Sequence, residues 1–318
     1  MTWLIERQGI SPLENWAQSG GYLFATQGWA RLLETLGASS GFAWSAKNEL
    51  GFILPVFSKF SFRLGFLGFP QLALPCEVGI ESVATAVLPR QWHLDLARLN
   101  ADAQADLLNH PTSARHEVWI DDLPNWRPTG KRLKKDLAFA RRKSSTQLRL
   151  VSGCPAPIVF HQLYSQTVRR NGGIARYGAS YFQAITDLAH DNPLLQVFSV
   201  VDTNNLLVGA AVVARHGPRA YYLHGAVNNY AKSLGASDEL LFRLIEHAQA
   251  WGCQKFSLMA SPWDQTGLHR YKLKWGKTQA LTKTWDIPLS SCGQALAMWT
   301  RLRGRHDRQR AASFLSGQ

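Results

Sequence analysis

At 318 residues the chain is long enough for two medium-sized cores, and 46% hydrophobic with 18% charged residues is the composition of a folded protein, which excludes disorder over most of its length. Thirty-five lysines and arginines against 22 acidic residues give a formal charge of +13. That favours an anionic partner, whether nucleic acid, a phosphorylated donor or an acidic membrane surface, although a basic surface kept for solubility gives the same count.

Cys76, Cys154, Cys253 and Cys292 show no paired spacing, which argues against a disulfide framework or a zinc site and fits a reducing compartment. No basic stretch followed by a long apolar core opens the sequence, and no apolar run reaches the ~18 residues that a spanning helix needs. The expected location is the cytoplasm, including the inner face of a membrane.

In chain order, residues 12 to 36 carry a partly helical apolar pattern broken at Gly20-Gly21. Phe42-Ala-Trp44 turns at Lys47-Asn48 into Leu50 to Leu54. Ser58 to Phe66 alternates, with Phe60, Phe62, Leu64 and Phe66 on one face and Lys59, Ser61 and Arg63 on the other. This period of two predicts a half-buried strand, and the same apolar stripe beside basic residues could instead dock on a bilayer. After Pro70, Pro75 and Gly79, Val83 to Leu107 has helix-like spacing, and His116 to Asp121 reads as a strand.

The stretch from Asp121 to Gly130, with two prolines and a glycine, is the expected domain boundary, and Thr129 is placed to cap the helix that follows. In that helix Leu133, Leu137 and Ala140 form an inner stripe. Seven of its thirteen residues from 131 to 143 are basic: Lys131, Arg132, Lys134, Lys135, Arg141, Arg142 and Lys143, against Asp136 alone. Like charges along one helix repel by a few tenths of a kcal/mol per pair, so an anion or nucleic acid that neutralises them is one reading and a solvated basic face the other.

Leu148 to Val151 is a short strand. Helices over Ile158 to Arg170, stopped by Asn171-Gly-Gly173, and over Ala179 to Ala189 lead to a strand from Leu194 to Val201. Two apolar segments, Leu206 to Arg215 and Arg219 to Val227, flank His216-Gly-Pro218 as a hairpin. A small-residue turn from Lys232 to Ser237 opens a helix with Leu240, Leu241, Leu244, Ile245 and Ala248 inward and Asp238 and Glu239 in its first turn. Gly252 ends it, Lys255 to Ala260 reads as a strand, and Arg301 to Arg310 is a basic tail suited to an electrostatic tether.

This order of strand, hairpin, glycine turn into helix and strand resembles the acyl-CoA-binding half of GNAT-type N-acyltransferases. Arg270-Tyr-Lys-Leu-Lys-Trp-Gly276, after Trp251-Gly and Phe256-Ser, is similar to the aromatic-Lys-x-x-aromatic-Gly segment of the FemAB-like branch. The resemblance covers most of residues 129 to 290 and is weaker before them. It implies an α+β fold of two GNAT-like domains, each a mixed, mostly antiparallel sheet flanked by helices: a degenerate one at 1–127, a second at 128–290, then a helix and basic tail at 291–318. The activity implied is transfer of an acyl or aminoacyl group from acyl-CoA or aminoacyl-tRNA, with no permanently bound cofactor or metal. The acceptor would be an amine on a cell-envelope or polysaccharide precursor, lipid- or nucleotide-linked. The long charged coiled-coil arm of several family members is missing here, which weakens transfer of the aminoacyl-tRNA role.

Acyl transfer to an amine needs a donor held by its phosphates, stabilisation of the tetrahedral oxyanion and a route for the amine proton. Lys232, Gly235, Ala236 and Ser237 match the GNAT pyrophosphate pattern in part, at a helix N-terminus; a tight turn needing Gly235 for geometry alone explains the same residues. Lys272 stands at the position of the family's lysine and is implied to stabilise the oxyanion, against the plainer reading of a surface lysine beside Lys274 and Lys277. Tyr222 and His224 are expected on one face of their strand, where either could move a proton, and Asp264 is a further candidate. The competing expectation is a non-catalytic member of the same fold that binds RNA, an anionic lipid or a phosphorylated ligand.

Overall fold

The computed structural model describes residues 4–6, 8–45, 50–59, 62–67, 93–102, 113–173, 175–261, 265–299 and 302. Its strands are β1 (Leu4–Glu6), β2 (Ala38–Ser45), β3 (Leu50–Lys59), β4 (Phe62–Leu67), β5 (Leu96–Asp102), β6 (Ser113–Ile120), β7 (Leu148–Ser152), β8 (Leu195–Asp202), β9 (Leu207–His216), β10 (Arg219–Val227), β11 (Lys255–Ala260) and β12 (Thr278–Pro288). Its helices are α1 (Ser11–Gly20), α2 (Gln27–Glu34), α3 (Lys131–Gln147), α4 (Pro157–Arg170), α5 (Ala179–Asp191), α6 (Asn229–Ser233), α7 (Ala236–Ala250), α8 (Thr266–Leu273) and α9, over residues 291–299.

All twelve strands join one sheet in the order β1-β2-β3-β4-β5-β12-β6-β11-β10-β9-β8-β7. Most pairs are antiparallel; β4 with β5 and β10 with β11 are parallel. The α+β expectation is met, and the two halves of the sheet are joined by β12, which pairs with β5 on one side and β6 on the other.

The central strands of the C-terminal half bury both faces, so β9 is apolar from Leu207 to Ala214 instead of alternating with polar residues. On one face Ala211 and Val213 meet Leu133 and Leu137 of α3 and Leu240, Leu241, Leu244 and Ile245 of α7. On the other Ala210, Val212 and Ala214 meet Phe160 and Leu163 of α4, Phe182 and Ile185 of α5, and Trp29, Leu32 and Leu33 of α2. α2 thus reaches across from the N-terminal half. Tyr22 bridges His216, and Gly217 N–H donates to Gly21 O at 2.8 Å, which seats the β9–β10 turn on the loop after α1.

Three sequence expectations are corrected here. The alternating run from Ser58 to Phe66 is two strands, with β3 and β4 pairing antiparallel up to Lys59↔Phe62; Phe60 and Ser61 lie outside the described residues. Within Val83 to Leu107, β5 is a strand, because pairing with β4 and β12 on its two sides satisfies its backbone where a helix would not; residues 83–92 and 103–107 lie outside the described ones. The carbonyl of Gly130, not Thr129, accepts the first bond of α3, from Lys134 N–H at 3.0 Å.

Candidate active site

The site is built where two adjacent parallel strands part. β10 and β11 pair only at Arg219↔Lys255, Ala220↔Phe256 and Tyr221↔Ser257, then run on unpaired to Val227 and Ala260. Both strands are bulged at the opening. On β10 the register against β9 slips between Tyr222 and His224; on β11 it slips against β6 between Ser257 and Ala260. A bulge inserts one residue, bends the strand and re-aims the side chains beyond it.

The β10 bulge overturns the expectation that Tyr222 and His224 share a face. Tyr222 packs into the α7 side, where Gly225 leaves room for its hydroxyl: a Cβ on Gly225 would lie within bonding reach of that oxygen. His224 turns to the α4–α5 side, where Nε2 meets Tyr181 Oη at 2.7 Å and the rings of Tyr164, Tyr177 and Phe182 surround it. Burial pushes the His224 pKa down to about 4 and the Tyr222 hydroxyl up to about 12, and holds the Tyr181 hydroxyl well above its usual range. At neutral pH this pair therefore consists of an uncharged imidazole and a phenol, able to pass a proton but carrying no net charge.

Lys272 is no surface lysine. It is 5% exposed, on α8, and its Nζ donates to the carbonyls of Met259 at 2.8 Å and Ala260 at 3.2 Å. Burial lowers its pKa to about 8, with buried Glu117 on β6 opposing the shift. Glu117 accepts a short hydrogen bond from Ser257 Oγ, which in turn accepts the Met259 N–H at 2.9 Å. Met259 sits at φ 60°, a conformation that L-residues rarely adopt and that surrounding contacts must hold. Glu117, Ser257 and Lys272 supply those contacts, so they fix the end of β11 at the mouth of the opening. The sequence reading missed Glu117 and Ser257; a carboxylate inside the apolar run Val118-Trp-Ile120 was the available signal.

Lys274 is also misread by the sequence as a surface residue. It bridges Asp136 of α3 at 3.1 Å and Asp238 of α7 at 2.7 Å. The basic helix thereby lies across the start of α7. Ala140 packs so closely on Gly235 that a Cβ there would stand 2.8 Å from its own, and Gly235 takes φ 81°. Geometry alone therefore explains Gly235. Ala236 is buried and Ser237 half-buried, at the two positions whose N–H groups precede the first helical bonds; Lys232 is exposed, its carbonyl taken by Gly235 N–H at 3.1 Å. Tyr271 Oη donates to Ser237 O at 3.1 Å, closing this side.

Of the basic residues on α3, Lys131, Arg132, Lys134, Lys135, Arg141 and Arg142 are exposed and Lys143 is half-buried. Arg141 lies over the Phe242 ring at 4.6 Å and near Glu239 at 3.8 Å. Asp264 lies outside the described residues. Among the described residues no group of three or more His, Cys, Asp or Glu could hold a metal ion, and no helix is long and apolar enough to cross a membrane.

The family model for an acetyltransferase (GNAT) domain matches residues 131–273, from the start of α3 to the end of α8. In fold the chain is similar to FemX, at 13% identity and a TM-score of 0.69, over 95% of this chain and all of that one. It is also similar to the C-terminal domain of a protein assigned as a lysylphosphatidylglycerol synthetase from Agrobacterium fabrum, at 13% identity and a TM-score of 0.57, over 91% and 93% of the two chains. L-PGS from Bacillus licheniformis follows at 12% and 0.54, over 96% and 98%. No curated protein sequence matches the chain. Residues 131–273 thus match the acetyltransferase (GNAT) domain family, and the chain as a whole has a tandem GNAT fold similar to that of FemX.

Proposed function

We propose that the chain is an N-acyltransferase that moves an acyl or aminoacyl group from an anionic carrier to an amine. The observation that carries this reading is the opening between β10 and β11, bulged on both strands and held by a buried lysine network. A slot between diverging strands offers backbone groups to an acyl chain without requiring side chains to line it. The start of α7, with Ala236 and Ser237 N–H groups and exposed Lys232 nearby, is the donor-phosphate end. The α4–α5 side is the acceptor end, and His224 with Tyr181 carries the amine proton away. Lys272, below the slot, contributes positive charge to the oxyanion as well as holding the β11 end.

The donor is acyl-CoA or aminoacyl-tRNA. The six exposed basic side chains on α3 favour the tRNA form, whereas the glycine turn into α7 favours the CoA form. Fold likeness to FemX and to the lysylphosphatidylglycerol synthetase domain supports an acceptor amine in the cell envelope, lipid- or nucleotide-linked, and hence work at the cytoplasmic face of a membrane. Calorimetric titration of the nuclease-treated protein with coenzyme A and with bulk tRNA separates the donors. Saturable CoA binding with salt-labile tRNA binding identifies acyl-CoA; the reverse identifies aminoacyl-tRNA, docked on α3.

For whichever donor binds, Lys272→Ala is expected to cut turnover by about 10²-fold. An unchanged rate removes Lys272 from the chemistry. The exposed basic face of α3 also favours a second reading, a binding protein without catalysis. It predicts RNA binding that falls steeply with salt, survives Lys272→Ala and is accompanied by no transfer to any amine.

A further inference from the structure

A cleft of about 450 Å³ opens at the outer edge of the sheet, between α3, α7 and the last two strands, β7 and β8. Its floor is aliphatic: Leu148 and Leu150 of β7 and Val200 of β8, with Leu150 and Val200 paired across the ladder. Arg149, between the two leucines, spends its guanidinium on Asn205 Oδ1 at 2.8 Å. β7 and β8 stand three and two strands from β10, about 10–15 Å along the sheet, so this cleft is separate from the slot between β10 and β11.

The polar end of the cleft holds an unmatched group. Glu239 is 5% exposed, and its Oε1 accepts from Arg243 Nε at 2.8 Å. Its Oε2 is buried and accepts no hydrogen bond; Arg141 Nε, at 3.8 Å, stands too far away to give one. A carboxylate in the first turn assists a helix start from the water side, and nothing in that role asks for burial. A buried carboxylate oxygen without a donor costs free energy, which a ligand bringing an N–H or O–H into the cleft recovers. Around it the charges balance. Arg141 is held against the Phe242 ring at 4.6 Å, and Arg243 also donates to Glu246 Oε2 at 2.9 Å, so two guanidinium groups face two carboxylates.

Opposite charges side by side above an aliphatic floor are the recognition chemistry of a small zwitterion. A phosphate placed here would meet the Glu239 carboxylate, and a simple cation would meet Arg141. An α-amino acid carries both signs on one carbon atom and lays its side chain beside them. We infer that the cleft between α3, α7 and the β7–β8 edge binds an α-amino acid with an apolar side chain. Its ammonium group donates to Glu239 Oε2, its carboxylate meets the Arg141 guanidinium, and its side chain rests on Leu148, Leu150 and Val200. This site is independent of the acyl-transfer chemistry and would stand if that reading failed.

The test is isothermal titration calorimetry of the full chain with L-leucine and L-phenylalanine. Three truncated compounds are titrated beside them: isocaproate, which lacks the ammonium group, isoamylamine, which lacks the carboxylate, and glycine, which lacks the side chain. Saturable binding is expected for at least one of the two amino acids, and each truncated compound should bind at least about tenfold more weakly. Arg141→Gln, a change at an exposed side chain, should weaken the amino acid by about tenfold with a circular dichroism spectrum like the parent's. Glu239→Gln should do the same, and Arg141→Gln carries the test if that buried change unfolds the chain. Leu150→Ser should narrow the advantage of leucine over glycine. Absence of binding by both amino acids, equal binding of the truncated compounds, or an Arg141→Gln variant that binds like the parent overturns the inference. Binding of inorganic phosphate or adenosine monophosphate in place of the amino acids overturns it too, and makes the cleft an anion site.

Discussion

His216 ties the two halves of the chain with a single ring nitrogen. Its Nδ1 accepts the Phe24 N–H at 3.2 Å, across 192 positions of sequence, while the ring stacks on Phe24 at 5.0 Å and stands edge-on to Tyr22 at 5.2 Å. An acceptor nitrogen must be unprotonated, and burial with the nearby Arg219 charge holds the His216 pKa down to about 3. His224 is held at about 4. In the unfolded chain both titrate near 6.5, so between roughly pH 6.5 and 4 the unfolded state binds more protons than the folded one. Stability contributed by these two residues is therefore complete above pH 6.5 and is lost as pH falls through that window. The urea midpoint should drop between pH 7 and pH 5, and a His216→Gln, His224→Gln double variant should show a flatter profile; a parent midpoint that stays level would contradict this assignment. Asp and Glu titrate mostly below this range, which keeps the histidine contribution separable.

Among the elements, the contact of α3 with α7 carries the sharpest local demand. Gly235 has a positive φ, and Ala140 stands 2.8 Å (Cβ) and 3.0 Å (Cα) from where a side chain would begin. Gly235→Ala should cost about 2–3 kcal/mol by chemical denaturation, from backbone strain and from pushing α3 outward. The same variant should weaken whichever donor binds, because α3 and the start of α7 move apart. Much at this scale was legible in the sequence: Gly21 caps α1 in the left-handed conformation, the β9–β10 hairpin turns at Gly217, and α7 carries Asp238 and Glu239 in its first turn. These are signals held within a few neighbouring residues. The misses share a cause too. The apolar–polar alternation runs unbroken in sequence from β3 into β4, so periodicity reads through the boundary, although the pairing Lys59↔Phe62 puts those two residues on one face. β5 is a strand through its partners, which lie elsewhere in the chain. The bulge at Leu223 reverses the face of His224 with no residue type to announce it, and the burial of Lys272 and Lys274 depends on carbonyls and carboxylates brought from β11, α3 and α7.

For the whole molecule the deciding feature is that the halves are interleaved, not strung together. The segment from Asp121 to Gly130 reads as a linker between domains, yet Leu123 is buried, its N–H donates to Gln254 O at 2.9 Å, and Trp126 Nε1 donates to Trp275 O at 3.1 Å. Gln249 Nε2 donates to Leu123 O at 2.7 Å. We propose 127/128 as a boundary in sequence only. Residues 1–127 expressed alone lack β11 and β12, so β5 keeps one unpaired side and β6 is left without either neighbour. That fragment should be insoluble or unfolded by circular dichroism, and co-expression with 128–318 should recover a soluble complex; an autonomously folded 1–127 would contradict the interleaved topology. The same placement of β12 sets a schedule during synthesis. β5 and β6 leave the ribosome well before Thr278 to Pro288 exists, with the whole GNAT domain of residues 131–273 translated in between. The nascent chain must keep that gap from pairing with itself or with a neighbour until the closing strand arrives, so for this protein the demand for chaperone protection should end late, with translation of the last forty or so residues.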